Sequence, residues 1–159
     1  GFSMAMTPKG IYIPEGDTDV DFLSVFSTLA SSIDSALGDF TYDSGWIDVP
    51  TSQMQNGWET YNTTSFQVAY RKVGKSVNIR GLIRYGTEAT TMFVLPTGFR
   101  PTKGTEIFYC MTSGAITSNG GYKGTRMDVN VAGNVSQVGG NTALGNSFIS
   151  LNNIQFLVD

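Results

Sequence analysis

Trp58, Tyr61, Tyr85 and Tyr122 each adjoin a Gly or Asn, and such turns carry flat rings to a protein surface. Arg71, Arg84, Arg126 and Asp128 add planar hydrogen-bonding groups in the same part of the chain. A ring face takes the apolar face of a sugar, and a guanidinium fork takes a phosphate, a carboxylate or a pair of hydroxyls. These eight residues are therefore the candidate ligand-binding set, and their chemistry is recognition. Trp46, Tyr70 and Tyr109 are expected in the core instead. Arg71, Lys72, Lys75, Arg80 and Arg84 concentrate positive charge on two adjacent segments.

Bond-making chemistry finds little support. The chain has no histidine, which removes the commonest general base, zinc ligand and near-neutral pH switch. A serine nucleophile would lack its usual base. Glycan hydrolysis needs two carboxyls about 5 to 10 Å apart, and Glu59, Glu106 and Asp128 have no spacing that singles out a pair. Gly74-Lys75-Ser76 imitates the end of a phosphate-binding loop, but Ala69 stands where its first glycine belongs. Asp17, Asp19 and Asp21 imitate the start of a calcium loop, yet Phe22 and Thr28 occupy its required glycine and glutamate positions. The triplets beginning at Asn62 and Asn134 match the glycosylation acceptor pattern by chance. No catalytic residue, metal or cofactor is expected, and the chain reads as a non-enzyme.

Composition bounds the partners. The 159 residues make about one domain, only 14% of them charged and 19 of them glycine. That is the balance of a loop-rich β fold with a polar, weakly charged surface, which suits glycans. The net charge of −3 is unevenly spread: residues 1–48 carry one base against eight acids, residues 49–159 nine bases against five acids. An anionic partner would meet the second part. The bases are too few and too scattered for nucleic acid, and no apolar run is long enough to insert in a membrane. The opening residues do not read as a signal peptide, and residues 1–4 are expected to be an addition ahead of the native chain. Cys110, the single cysteine, lies in an apolar run and reads as a buried, inert thiol.

The elements that must position these groups are one helix and many short strands. After an extended segment at residues 5–17, residues 18–38 predict a helix with Thr18 as N-cap and Gly38 as C-terminal stop. Phe22, Phe26, Leu29, Ile33 and then Ala36 or Leu37 recur at spacings of four and three, the seam of a coiled coil. The remaining positions are rich in Ser and Thr, so the helix would be marginal alone. Its partner is either the sheet of the same chain or copies of itself; phenylalanine at two seam positions favours a wide core of three helices. Residues 39–159 read as strands over 46–49, 58–61, 66–73, 77–84, 92–95, 106–111, 126–131, 135–138 and 148–158, the last broken around Asn152-Asn153. So many short strands with Gly and Asn turns predict a mainly β chain: a helical neck followed by an antiparallel, jelly-roll-like β-sandwich.

Four strings carry a family resemblance. They are Gly10-Ile11-Tyr12-Ile13-Pro14 with the helix ending Ile33-Asp34-Ser35-Ala36-Leu37, Ser44-Gly45-Trp46-Ile47, Tyr70-Arg71-Lys72-Val73-Gly74 leading into Val77-Asn78-Ile79-Arg80-Gly81, and Leu95-Pro96-Thr97-Gly98-Phe99-Arg100-Pro101. The chain resembles the C-terminal part of tail receptor-binding proteins of tailed phages that infect Gram-positive bacteria. That resemblance implies a homotrimer at the tail tip or baseplate: a neck of three parallel helices above β-sandwich heads that bind host cell-wall saccharides. Its N-terminal part would join other tail proteins. The positive head would suit wall teichoic acid. A glycan depolymerase of similar architecture and a structural trimerisation head without ligand are the competing readings. No ligand residue is carried over from the family.

Overall fold

Strand pairing dominates the chain. The computed structural model describes residues 3–6, 8–10, 12–15, 22–113, 123–140 and 148–159. Two compact units divide at residue 42, residues 1–42 and 43–159.

In the first unit β1 (Ser3–Met6) pairs antiparallel with β2 (Tyr12–Glu15), in a register that sets Ser3 opposite Glu15 and Met4 opposite Pro14. Ser3 and Met4 thus pair within a hairpin whose second strand lies in the segment expected to be extended. Gly10 supplies its left-handed turn with φ of +79°. The helix α1 (Phe22–Thr41) lies beside β2 and buries Val25 and Ser32. Thr18, the expected N-cap, lies outside the described residues.

The expected stop at Gly38 is corrected: α1 runs through it to Thr41, and Tyr42 N–H donates to the Gly38 carbonyl at 3.1 Å. A mid-helix glycine costs about 1 kcal/mol against alanine, too little to end a helix whose next residues keep bonding. Hydroxyls that would compete with the helix are absorbed by it: Thr28 Oγ1 donates to the Ser24 carbonyl and Ser32 Oγ to that of Thr28. Among the seam residues Phe22 and Phe26 are 69% and 62% exposed, Ile33 and Leu37 are exposed and Leu29 is half-buried.

The second unit holds β3 (Ile47–Asp48), β4 (Glu59–Thr60), β5 (Ala69–Val73), β6 (Ser76–Arg80), β7 (Leu82–Arg84), β8 (Thr91–Val94), β9 (Glu106–Met111), β10 (Gly124–Val129), β11 (Asn134–Gly140), β12 (Phe148–Ser150) and β13 (Gln155–Leu157). The sheet β8-β11-β10-β9 is a Greek key: three hairpin-linked strands with β8 returning beside β11. Two further sheets, β13-β6-β5-β3 and β12-β7-β4, share a bent strand pair. The bend lies at Gly81, with φ of +109°; a Cβ there would sit 2.6 Å from the Gln67 carbonyl oxygen. The strand expected over 77–84 therefore divides, its first half pairing with β5 and β13, its second with β4 and β12. The matching break falls at Asn152-Asn153, where the sequence predicts it, and Asn152 Oδ1 accepts the Gly81 N–H at 2.9 Å.

Among the described residues the fold is mainly β, with antiparallel sheets and one α-helix, consistent with a β-sandwich. Val68, Val77, Ile79, Ile83 and Phe156 from the bent pair and its neighbours share one core cluster with Phe93, Met127, Val129 and Val135 of the Greek key. Each such side chain contributes about 1.5–3 kcal/mol on burial, so the sheets are rigid platforms. Cys110 joins this core, its Sγ 3.3 Å from Asn153 Oδ1, and burial pushes its thiol pKa up to about 12. Among the described residues no helix is long and apolar enough to cross a membrane.

Candidate functional site

Strand register assembles a cationic aromatic corner around Arg84. On β7, Arg84 stands opposite Glu59 of β4 on one side and Phe148 of β12 on the other. Its Nε donates to Glu59 Oε1 at 3.0 Å. Its guanidinium carbon lies 4.9 Å from the Tyr61 ring centre and 4.4 Å from that of Tyr85, within cation–π range of both. Tyr61 is held edge-on by Phe148 at 5.4 Å and Phe66 at 6.4 Å. Tyr85 is 46% exposed and leaves the strand with φ of +69°.

Backbone strain accumulates under this corner. Asn56, Tyr85 and Ala89 are the non-glycine residues with positive φ among those described, and all three lie in two adjoining loops. Each costs of order 1 kcal/mol and persists only where surroundings hold it. The holder is Trp58. Its indole Nε1 donates to Thr90 Oγ1 at 2.9 Å, while a Cβ on Gly86 would lie 1.8 Å from its ring. Gly86 is therefore bare so that the chain beyond Tyr85 can press on the indole. Thr87 N–H donates to the Asn56 carbonyl and Asn56 Nδ2 to that of Thr91, closing the two loops on one another.

The structure thus unites Tyr61, Arg84 and Tyr85 and separates the rest of the candidate set. Trp58 is corrected from surface to core: it is 2% exposed and supports the corner from beneath. Arg71 on β5 belongs to another cluster with Asp43 and Trp46. Arg126 and Asp128, two apart on β10 and so on one face, pair with each other through Nε–Oδ1 at 2.8 Å. Tyr122 lies outside the described residues.

Two further assignments reverse. Trp46, expected in the core, is 37% exposed, with the Arg80 guanidinium 4.0 Å over its ring and that of Arg71 at 5.9 Å. Tyr109 is 71% exposed and lies across Gly124 of β10, where a Cβ would come within 2.4 Å of its ring. Its outward direction follows from β9 alternation, in which Cys110 is buried and its neighbours face out. Tyr70 is buried in the core as expected. Trp46 follows Gly45 as Trp58 follows Gly57, so the turn signal that points Trp58 outward is present at Trp46 as well.

Three of the five arginines are neutralised in place. The Arg71 fork on Asp43, with Nε 2.9 Å from Oδ1, holds that carboxyl down at about 2, helped by the Gly45 N–H. Arg71 and Arg126 are in turn raised by Asp43 and Asp128. Arg84 is taken by Glu59. No group of three or more metal-ligating side chains comes together among the described residues. The arrangement offers rings, forks and hydroxyls on a rigid sheet, which can hold a saccharide.

No protein-family model matches the sequence, and no curated protein matches it either. The structural comparison is more informative. The crystal structure of the receptor binding protein (gp15) of Listeria phage PSA superposes with a TM-score of 0.58 over 91% of this chain and 82% of that one. The chain shares that protein's fold. Sequence identity is 14%, so the likeness lies in the arrangement of elements and not in conserved side chains.

Proposed function

We propose that this chain is a non-enzymatic receptor-binding module of a phage tail tip, which recognises a saccharide of the host cell wall and so mediates adsorption. The observation that carries this reading is the extent of the fold likeness to a phage receptor-binding protein, 91% of the chain. The Tyr61–Arg84–Tyr85 corner supports the saccharide part, since the exposed Tyr85 ring presents a stacking face beside a guanidinium already oriented by Glu59. The net positive second unit suits wall teichoic acid, whose phosphates are anionic.

The exposed apolar residues of α1 support a homotrimer held by a three-helix neck, with the N-terminal part joining other tail proteins. Phe22 and Phe26 stack at 6.3 Å along the seam, a large apolar surface for one helix. Three heads would multiply a weak site into roughly a hundredfold or greater apparent affinity.

The test is a pulldown of labelled protein on Gram-positive cell walls before and after chemical removal of teichoic acid, with solution mass by light scattering. Trimeric protein whose binding vanishes on stripping supports the reading in full. Binding that survives moves the ligand to another wall polysaccharide, and no binding across many strains overturns the saccharide reading. Phe26→Asp is expected to give monomers; an intact trimer would remove the neck from the proposal.

A further inference from the structure

Arg80 stands apart from the other arginines. Its guanidinium lies 4.0 Å over the indole of Trp46, and it makes no hydrogen bond or ion pair among the described residues. Arg71, Arg84 and Arg126 each have a carboxylate, and Arg100 gives its Nε to the Leu95 carbonyl at 2.7 Å. A guanidinium held over an aromatic face by its charge still has its N–H groups to give, so it is positioned yet unspent.

It is also placed at a groove. Arg80 lines an open groove of about 410 Å³ with Thr64, Ser65, Gln67 and Asn152, and no carboxylate is among the described residues that line it. The rim is fixed in advance: Asn62 Oδ1 accepts the N–H groups of Thr64 at 2.8 Å and Ser65 at 3.1 Å, and Asn152 Oδ1 is held by Gly81 N–H. The Thr64 and Ser65 hydroxyls and the Asn152 amide N–H groups make no hydrogen bond among the described residues. Gly81 forms part of the floor, where the bare backbone already abuts Gln67 and Val68 and cannot admit a side chain. A cation, hydroxyls and an amide donor around a groove without carboxylates are the donor set of an oxyanion site.

We infer that the Arg80 groove is a second ligand site, distinct from the Arg84 corner, that takes the phosphodiester of a polyol phosphate chain through the Trp46-stacked guanidinium. The identification of that chain with a wall polymer rests on the function proposed above; the phosphate site itself does not. A diester suits the geometry because its single charge matches one guanidinium, and its two ester arms can run along an open groove. The Thr64 and Ser65 hydroxyls then meet the hydroxyls of the polyol.

The chain contains two tryptophans, which gives a direct readout and an internal control in one spectrum. In the ¹H–¹⁵N correlation spectrum of the intact protein, titration with dimethyl phosphate and with glycerophosphoglycerol, both singly charged diesters, is expected to move the Trp46 indole signal. The buried Trp58 signal should stay in place and report an unchanged fold. Arg80→Gln is expected to weaken the response at least about tenfold, the loss of a charged hydrogen-bond donor. Arg80→Lys should give an intermediate loss, because an ammonium keeps the charge but presents no fork. A motionless Trp46 signal, or an equal response in Arg80→Gln, overturns the site.

Cell-wall pulldown of the wild-type protein separates the two readings. Wall binding without a Trp46 response removes this inference and leaves the receptor function. A Trp46 response without wall binding keeps the phosphate site and removes the wall polymer as its source.

Discussion

Arg84 and Arg80 lie four residues apart on one bent strand pair, each against an aromatic ring, and yet they are differently committed. Arg84 faces Glu59 across β4 and is enclosed by two phenol rings, whereas Arg80 faces Ala69 across β5 and rests on one indole. The cross-strand neighbour decides the outcome. A carboxylate opposite an arginine satisfies the fork and builds structure; an alanine leaves the fork for something outside the chain. The Gly81 bend makes the difference possible, since it gives the two halves of the strand separate partners.

The sharpest way to break this comparison is to remove the two indoles in turn. Trp58→Ala is expected to cost about 3–5 kcal/mol in urea or thermal unfolding, because it empties the support of the Arg84 corner. Trp46→Ala should cost less than about 1 kcal/mol and leave the corner intact. Comparable losses would mean that both rings are structural. Next in size, Gly86→Ala is expected to cost about 1–3 kcal/mol by pressing a methyl into Trp58. It should also displace Tyr85, visible as altered Tyr85 ring signals; an unchanged melting transition would show that the loop accommodates the methyl.

Glu59→Gln against Arg80→Gln tests commitment more finely. The first should lower stability by about 0.5–1 kcal/mol, since its partner remains half-buried, and the second should stay within about 0.5 kcal/mol. Equal effects would erase the distinction between the two arginines.

The smallest effect concerns Arg71, the second arginine near Trp46. The Asp43 carboxyl, held by Arg71 and Gly45, has its pKa lowered from 3.8 to about 2. A depressed carboxyl contributes stability above its ordinary pKa, and that contribution fades as pH falls from about 4 through about 2. Carboxyl ¹³C shifts followed against pH should place the Asp43 midpoint well below the ordinary carboxylate range. A midpoint inside that range would dissolve the Arg71–Asp43 pair as a fixed feature.

Much of the fold was legible because strands announce themselves by alternation. β9 is read to the residue, and the interruption at Asn152-Asn153 falls where the side chain of Asn152 caps the bend at Gly81. What was not legible depends on neighbours distant in sequence. Gly81 reads as one more residue of a strand until its closeness to Gln67 is known. The fates of Trp46 and Trp58 cannot be told from adjoining glycines alone, since both have one. Burial is set by whether another loop covers the ring, and only Trp58 has the 85–90 loop across it. Of the candidate residues, Tyr61, Arg84 and Tyr85 converge because register places residues 59, 84 and 148 in one row, a relation that no local spacing contains. Gly38 misled for the opposite reason: its sequence context is that of a helix stop, but hydrogen bonding on both sides carries α1 past it.

Cys110 carries a consequence for how the protein ages. Its thiol is fully enclosed, hydrogen-bonded to Asn153 and held in the protonated form by burial. Thiolate is the species that oxidants and other thiols attack, so this sulfur is shielded both from air and from exchange. Copies of the chain stored at high concentration for long periods would therefore not become covalently linked through it. Whatever association they form stays reversible on dilution, and a non-reducing gel of aged protein should run as a single chain.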